Sequence, residues 1–325
     1  MHVFIDTNIL LNFFHYTNDE LDALNDVFAT HEHGSATVHL TEQVYNEFIR
    51  NRENKIKDAL KRFKDVKFFL QFPSFMKGYE EYGEIRALSE KLKELHASIL
   101  DKITNDIENY TLAADRLIGD ILESSELLKI DEKVFNKGNM RVALGNPPGK
   151  NGSLGDAINW VLLLESVPEG EDIHIISEDG DYYSALSDAK PHPFLANEWK
   201  NKKNGALLVY RTLSSFMKEH FDGVAFSFDK EKEELIESLG HSGSFANTHS
   251  LIAELEKYSY FSLKEVLRIL DAAAENNQVG WIVTDSDVSD FLYRITKPHM
   301  ANIASNEHLE ILGHVIEEQK ERENT

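Results

Sequence analysis

Cysteine is absent from all 325 residues. That one gap excludes disulfides, thiolate metal sites, iron–sulfur ligation and cysteine nucleophiles together, and it agrees with a reducing compartment. Long apolar runs are missing too. The longest, such as residues 160–164, fall far short of the roughly 20 residues that a membrane span requires. The opening Met1-His2-Val3-Phe4-Ile5-Asp6 has neither the basic start nor the extended apolar stretch of a secretory signal. The chain therefore reads as a soluble, cytoplasmic protein without a membrane partner, and no internal repeat or low-complexity tract interrupts it.

Positive charge is also scarce. With 34 Lys and Arg against 56 Asp and Glu, the chain carries −22, which on average repels phosphate. The average conceals a division. Residues 222–325 hold 20 acidic against 9 basic side chains, a local −11. Residues 50–67 carry eight basic side chains, among them Arg50, Arg52 and Lys55, against Glu53, Asp58 and Asp65, a local +5. A polyanion can be steered to that segment, although a solvated helix face gives the same pattern.

The hydrophobic pattern alternates at the start. Residues 3–5 form a short apolar β-branched run that stops at Asp6-Thr7-Asn8, a helix-capping sequence ahead of 9–14. A helix is expected over 19–30, a strand over 35–40, and a helix from Thr41 that carries Glu47. This βαβα opening predicts an α/β fold with a mainly parallel sheet and flanking helices. From about 51 to 128 the pattern turns helical, with Ile85, Leu88, Leu92, Leu95 and Ile99 in 3,4,3,4 spacing and Ile103 to Ile121 continuing it as one seam of a long helix or helical hairpin. Such a segment is either a substrate-gripping lid or a packing layer. Strands return at 172–177 and 206–210, around helices at 156–164 and 213–220. Beyond Phe228 an acidic stretch, a linker at 240–244 and helices near 250–257, 262–275 and 308–322 are expected.

Chemistry enters where strands end. In open α/β sheets ligands bind at the carboxyl ends of the strands, and Asp6 and the Ser177 to Asp181 segment both lie there. Glu47 and Asp156 stand on helices that can reach the same edge. Carboxylates gathered in one place repel unless a cation lies among them, and hard oxygen donors select Mg²⁺ or Mn²⁺. Phosphodiester hydrolysis is the chemistry that such an ion supports.

The residues now carry a resemblance. The stretch VFIDTNILLNFF is similar to the first motif of PIN-domain nucleases, VYNEFIRN to the second, GDAINWVLL to the third and IHIISEDGDYYSAL to the fourth, with ALLVYRTLSSFM resembling the last strand and helix. Four motifs in order with matching contexts are far more specific than any one. The resemblance implies a metal-dependent nuclease, most often a ribonuclease, acting on RNA rather than DNA. It implies Asp6, Glu47, Asp156 and Asp179 as catalytic metal ligands, Asp181 as a further ligand or a group behind them, and Asn8 with Ser177 as positioning residues. Tyr182 stands where the family often has Phe. The implied layout is a PIN-like domain over 1–222 with a helical insertion over about 52–140, then an acidic, mainly helical domain over 223–325 whose role the family does not supply. The extra length leaves room for a homo-oligomer or a regulatory protein partner.

Other signals are weaker. Leu144 to Asn151 imitates a phosphate loop, but it has three residues between its glycines and two prolines that remove backbone donors. Lys150 in that loop, with Arg50, Arg52 and Lys55, is a candidate for substrate phosphate. Asp285, Asp287 and Asp290 read as a capped helix start, and the 14 histidines as scattered surface groups. Two alternatives stay open. A haloacid-dehalogenase-like phosphatase also begins with a strand-end Asp, but it wants an acid two residues on, where this chain has Asn8. A non-catalytic binding module on the PIN fold predicts a missing acid, and none is missing.

Overall fold

A computed structural model describes residues 1–30, 36–66, 72–149, 152–221, 227–258 and 260–323. The four-stranded sheet is all parallel, with β1 (His2–Ile5) between β2 (Thr37–Val38) and β3 (Ile173–Ile176), and β6 (Leu207–Tyr210) outside β3. Register aligns His2 with Ile173 and Ile173 with Leu207, so the strands end level with one another. Parallel strands covered on both faces are apolar throughout rather than alternating. Val3, Phe4 and Ile5 are accordingly all buried. A small antiparallel pair, β4 (Tyr183–Ser184) and β5 (Ser187–Pro191), follows β3.

The helices around this sheet are α1 (Thr7–Leu11), α2 (Asn18–Phe28), α3 (Glu42–Asp65), α4 (Glu81–Glu108), α5 (Ala113–Ser124), α6 (Glu132–Ala143), α7 (Leu154–Ser166), α8 (Pro193–Lys203) and α9 (Leu213–His220). Six more, from α10 (Ser227–Gly240) and α11 (Phe245–Leu255) through α12 (Leu263–Glu275), α13 (Asn277–Gly280) and α14 (Ser286–Thr296) to α15 (Asn306–Glu323), complete the described chain. One apolar core runs from Val3 to Phe221 and another from Ile236 to Val315, with Tyr16 packed against both. The expected linker at 240–244 is instead a mostly exposed turn between α10 and α11, both of which pack in the second core. Ser242 there is buried and shares a 2.8 Å hydrogen bond with Thr248.

The apolar seam of the helical stretch is not continuous. It breaks between α4 and α5 at Tyr110, whose φ of 56° leaves the helical region. The two parts have different fates. Ala114, Leu117 and Ile121 of α5 enter the sheet core beside Leu21 and Leu24, whereas Ile85 to Ile99 on α4 face solvent. Arg52 explains the junction. Its Nε and Nη2 donate to both Asp115 oxygens at 2.7 and 2.6 Å, Nη2 also donates to the Ile107 carbonyl at 3.0 Å, and the guanidinium lies 4.1 Å from the Tyr110 ring centre. The expectation that Arg52 holds substrate is thus corrected: the side chain is 1% exposed and committed to tying α3 to α5.

Candidate active site

The carboxyl edge of the sheet carries a cleft of about 360 Å³ lined by Asp6, Asn8, Glu47, Asp156 and Asp179, together with Thr7, Gln43, Arg50, Ser153 and Gly155. Sequence separation is large, yet each acid is delivered by a definite local device. Asp6 follows β1 because its N–H continues the ladder to the Ile176 carbonyl at 3.0 Å. As the N-cap of α1 its Oδ1 accepts from the Thr7 N–H at 2.8 Å, and its Oδ2 accepts from the Ser177 hydroxyl. Ser177 then accepts from the Asp179 N–H at 3.0 Å, while Asp179 Oδ1 accepts from the Asp181 N–H at 2.8 Å. The turn after β3 is thereby locked to the end of β1.

The two helical acids are set by a single contact. Thr41 caps α3, accepting from the Val44 N–H at 3.1 Å, and donates to Asn159 Oδ1 on α7 at 2.6 Å. Asn159 lies three residues past Asp156, so this buried bond fixes Glu47 and Asp156 relative to each other. Gly155 leaves room for the Gln43 side chain, whose Nε2 would have to shift from a Cβ there at 2.6 Å. Asp156 in turn accepts from the Ser153 hydroxyl.

Asp181 is brought to the same turn but faces the other way, accepting from the Gly149 N–H at 3.0 Å in a buried position. It anchors the loop that leads to Lys150, which itself lies outside the described residues. Arg50 is exposed on the cleft wall. Lys55 donates to Asn12 Oδ1 at 3.1 Å, and Asn12 Nδ2 donates to Glu178 Oε1 at 3.1 Å, so Lys55 sits beside the Glu178 carboxylate rather than among the cleft acids. Asn12, Gln43 and Ser153 were missed by sequence reasoning. Their signal was available: Asn12 and Gln43 stand four residues from Asn8 and Glu47 on the same helical faces, and Ser153 three before Asp156.

Repulsion and burial leave their mark on two of the acids. Burial pushes Asp6 up to about 7, the Ser177 bond opposes the rise, and the charges of Asp156 and Asp179 add to it. Asp156 is raised to about 6, first by burial and then by Asp179, Glu47 and Asp181, against the Ser153 bond. A folded-state value above the ordinary 3.8 means that the folded protein holds more protons between the two values. Stability of the metal-free chain must then fall as pH rises through that window. Asp6 alone is expected to make the metal-free protein about 2 kcal/mol more stable near pH 5.5 than near pH 8, an increment that Asp6→Asn removes. Thermal melts of both proteins across that range measure it, and parallel slopes for the two would refute the strained carboxylate.

The chemistry of these donors suits a hard divalent ion, all being carboxylate oxygens with amide and hydroxyl groups between them. Their placement is open: among the described residues no three His, Asp or Glu side chains already converge on one coordination point. The decoy acids have another use. Asp285 and Asp287 flank the start of α14 but hold His249, at 3.3 and 2.8 Å, and Asp285 makes no side-chain cap bond. Nor are the histidines all superficial, because His39, His174, His299 and His308 are buried.

A parallel sheet with an acidic cleft at its carboxyl edge makes this an α/β protein with a candidate site for a hard cation. Residues 3–182 match the family model of the PIN domain, more than half of the chain, and the chain belongs to that family. The matched span encloses the helical stretch and ends at Tyr182, within the fourth motif. PIN domains are nuclease folds, in general ones that hydrolyse nucleic acid with the help of a metal. No curated protein and no solved structure matches the chain significantly. No described helix is long and apolar enough to cross a membrane.

Proposed function

We propose that this protein is an Mg²⁺- or Mn²⁺-dependent endoribonuclease whose reaction takes place in the cleft between Asp6, Glu47, Asp156 and Asp179. The observation that carries the reading is the meeting of those four acids, from β1, α3, α7 and the turn after β3, on one cleft wall. When bound, a hard divalent ion supplies charge neutralisation, polarisation of a phosphate oxygen and a water of lowered pKa. Asp6 and Asp156 are the groups most relieved by it, since both are held above the usual carboxylate range without one. Ser177 and Ser153 orient them, Asn8 offers a neutral polar contact, and Arg50 lies where a substrate phosphate would enter. Asp181 is assigned to holding the Gly149 loop rather than to the ion. The choice of RNA over DNA rests on the family resemblance, as does a cytoplasmic setting. Separate apolar cores support a division near residue 222 into this nuclease domain and an acidic helical one.

Labelled single-stranded RNA, tRNA and DNA incubated with the protein in Mg²⁺ or Mn²⁺, and again with EDTA, test the assignment. RNA should be cut internally only when the cation is present, with EDTA removing essentially all cleavage. Cation-independent cutting, or none of any polynucleotide, would defeat it. Hydrolysis of a small phosphomonoester instead would favour the phosphatase.

A further inference from the structure

The turn that carries Asp179 is held by more than the sheet. The bond from the Ser177 N–H to the Tyr210 carbonyl, at 3.0 Å, continues the pairing of β3 with β6 just past the strand ends. From there two side chains take over, each donating to a carbonyl of the turn: Tyr183 Oη to Ser177 at 2.8 Å and Arg211 Nη1 to Glu178 at 2.7 Å. Anchors of this kind are needed because the carboxylates of Asp6 and Asp156 repel that of Asp179. The Glu178 carbonyl belongs to the peptide that leads into Asp179, so Arg211 sets the backbone from which that carboxylate springs.

Arg211 is itself set by rings from both parts of the chain. Its guanidinium lies 3.5 Å from the ring centre of Tyr183 and 4.9 Å from that of Tyr260, which stands between α11 and α12. The second core fixes Tyr260 firmly. Its carbonyl accepts from Lys232 Nζ on α10 at 2.8 Å, Lys232 is buried and paired with Glu265 of α12 at 2.7 Å, and the next carbonyl, of Phe261, accepts from His299 Nε2 at 2.8 Å. A second tie crosses the same junction. The Glu178 carboxylate, which accepts from Asn12, stands in the field of Arg294 on α14 as well as of Lys55 on α3.

We propose that Tyr260 is a positioning residue for the cation site: by stacking on Arg211 it holds the Glu178–Asp179 peptide, and through it the Asp179 carboxylate, so that the cleft is complete only with the C-terminal helical region docked. This rests on the assignment of a hard cation to the cleft. A planar guanidinium can stack on a ring and donate from its edge at once, and its charge strengthens the bond to the carbonyl. Engaged by a backbone carbonyl and two rings, Arg211 serves the protein rather than a substrate phosphate. The role also suits a region that carries −11, which repels phosphate and is ill fitted to holding a polyanion itself.

Mn²⁺ binding to the full chain without RNA, read by electron paramagnetic resonance, tests this apart from catalysis. Tyr260→Ala should weaken Mn²⁺ binding about 10-fold, the scale of one partly desolvated cation–π contact. It should raise the Mn²⁺ concentration for half-maximal RNA cleavage by the same factor and leave the KM for RNA unchanged. Tyr260→Phe keeps the ring and should restore wild-type affinity. Arg211→Lys, which keeps the charge and loses the plane, should weaken the ion as Tyr260→Ala does, and it carries the test if Tyr260→Ala disturbs folding. A protein that binds Mn²⁺ and loses affinity in these variants, yet cuts no polynucleotide, would support the positioning role and sink the nuclease reading alone. Mn²⁺ affinity unmoved by both Tyr260→Ala and Arg211→Lys, whatever their melting temperatures, overturns the proposal, as does a change confined to the KM for RNA.

Discussion

Asp6→Asn should lower kcat for RNA cleavage by about 10³-fold or more while the protein still folds. The magnitude follows from what an anionic oxygen does beside a metal: several kcal/mol of transition-state charge stabilisation are at stake, and each 1.36 kcal/mol is tenfold in rate. Folding is protected because Asn keeps the oxygen that caps α1 through the Thr7 N–H. The Ser177 hydroxyl, already an acceptor for the Asp179 N–H, has a second lone pair for the new amide. Removing a buried charge held up to about 7 should also leave the metal-free variant at least as stable as the parent near neutral pH. The useful readout is therefore a pair of measurements, steady-state kcat and a thermal melt. Lost activity with an unchanged or raised melting temperature supports a catalytic carboxylate. Retention of more than about a tenth of the activity would mean that cleavage does not pass through this cleft.

How much of this could be seen beforehand depends on the range of each interaction. Asp6 was legible because a β-branched run that stops at Asp-Thr-Asn marks both a strand end and a helix start, and the same local logic found β3 with its acids. Parallel order then placed both at one edge. Glu47 and Asp156 were found as helical acids, but what aligns them, the Thr41–Asn159 bond, joins residues 118 apart and has no local signature. The α4–α5 break could not be located for a different reason. Apolar spacing continues across it in multiples of three and four, so periodicity allowed a long helix or a helical hairpin without locating the turn at Tyr110. Periodicity likewise shows that a face is apolar without saying what covers it. Ala114 and Leu117 went to the sheet core and Leu88 and Leu92 to the surface.

Arg52 shows the same limit most sharply, and it yields the second large effect. Arg52→Ala is expected to destabilise the protein by about 3–5 kcal/mol, because Asp115 would be left buried without its partner. For a domain of about 200 residues that corresponds to a fall in melting temperature of roughly 10 °C. A substrate-binding arginine behaves differently, raising KM and flattening the salt dependence of binding while the melt stays put. Comparing the melt with KM therefore separates the roles, and a higher KM at unchanged stability would restore Arg52 to the substrate. The double variant Arg52→Met/Asp115→Leu sharpens the test. Removing both charges eliminates the unpaired carboxylate, so the double variant should be markedly more stable than Arg52→Ala. Recovery should extend to catalysis, since Arg52 lies five residues beyond Glu47 on α3 and its bond to α5 steadies the helix that carries that acid.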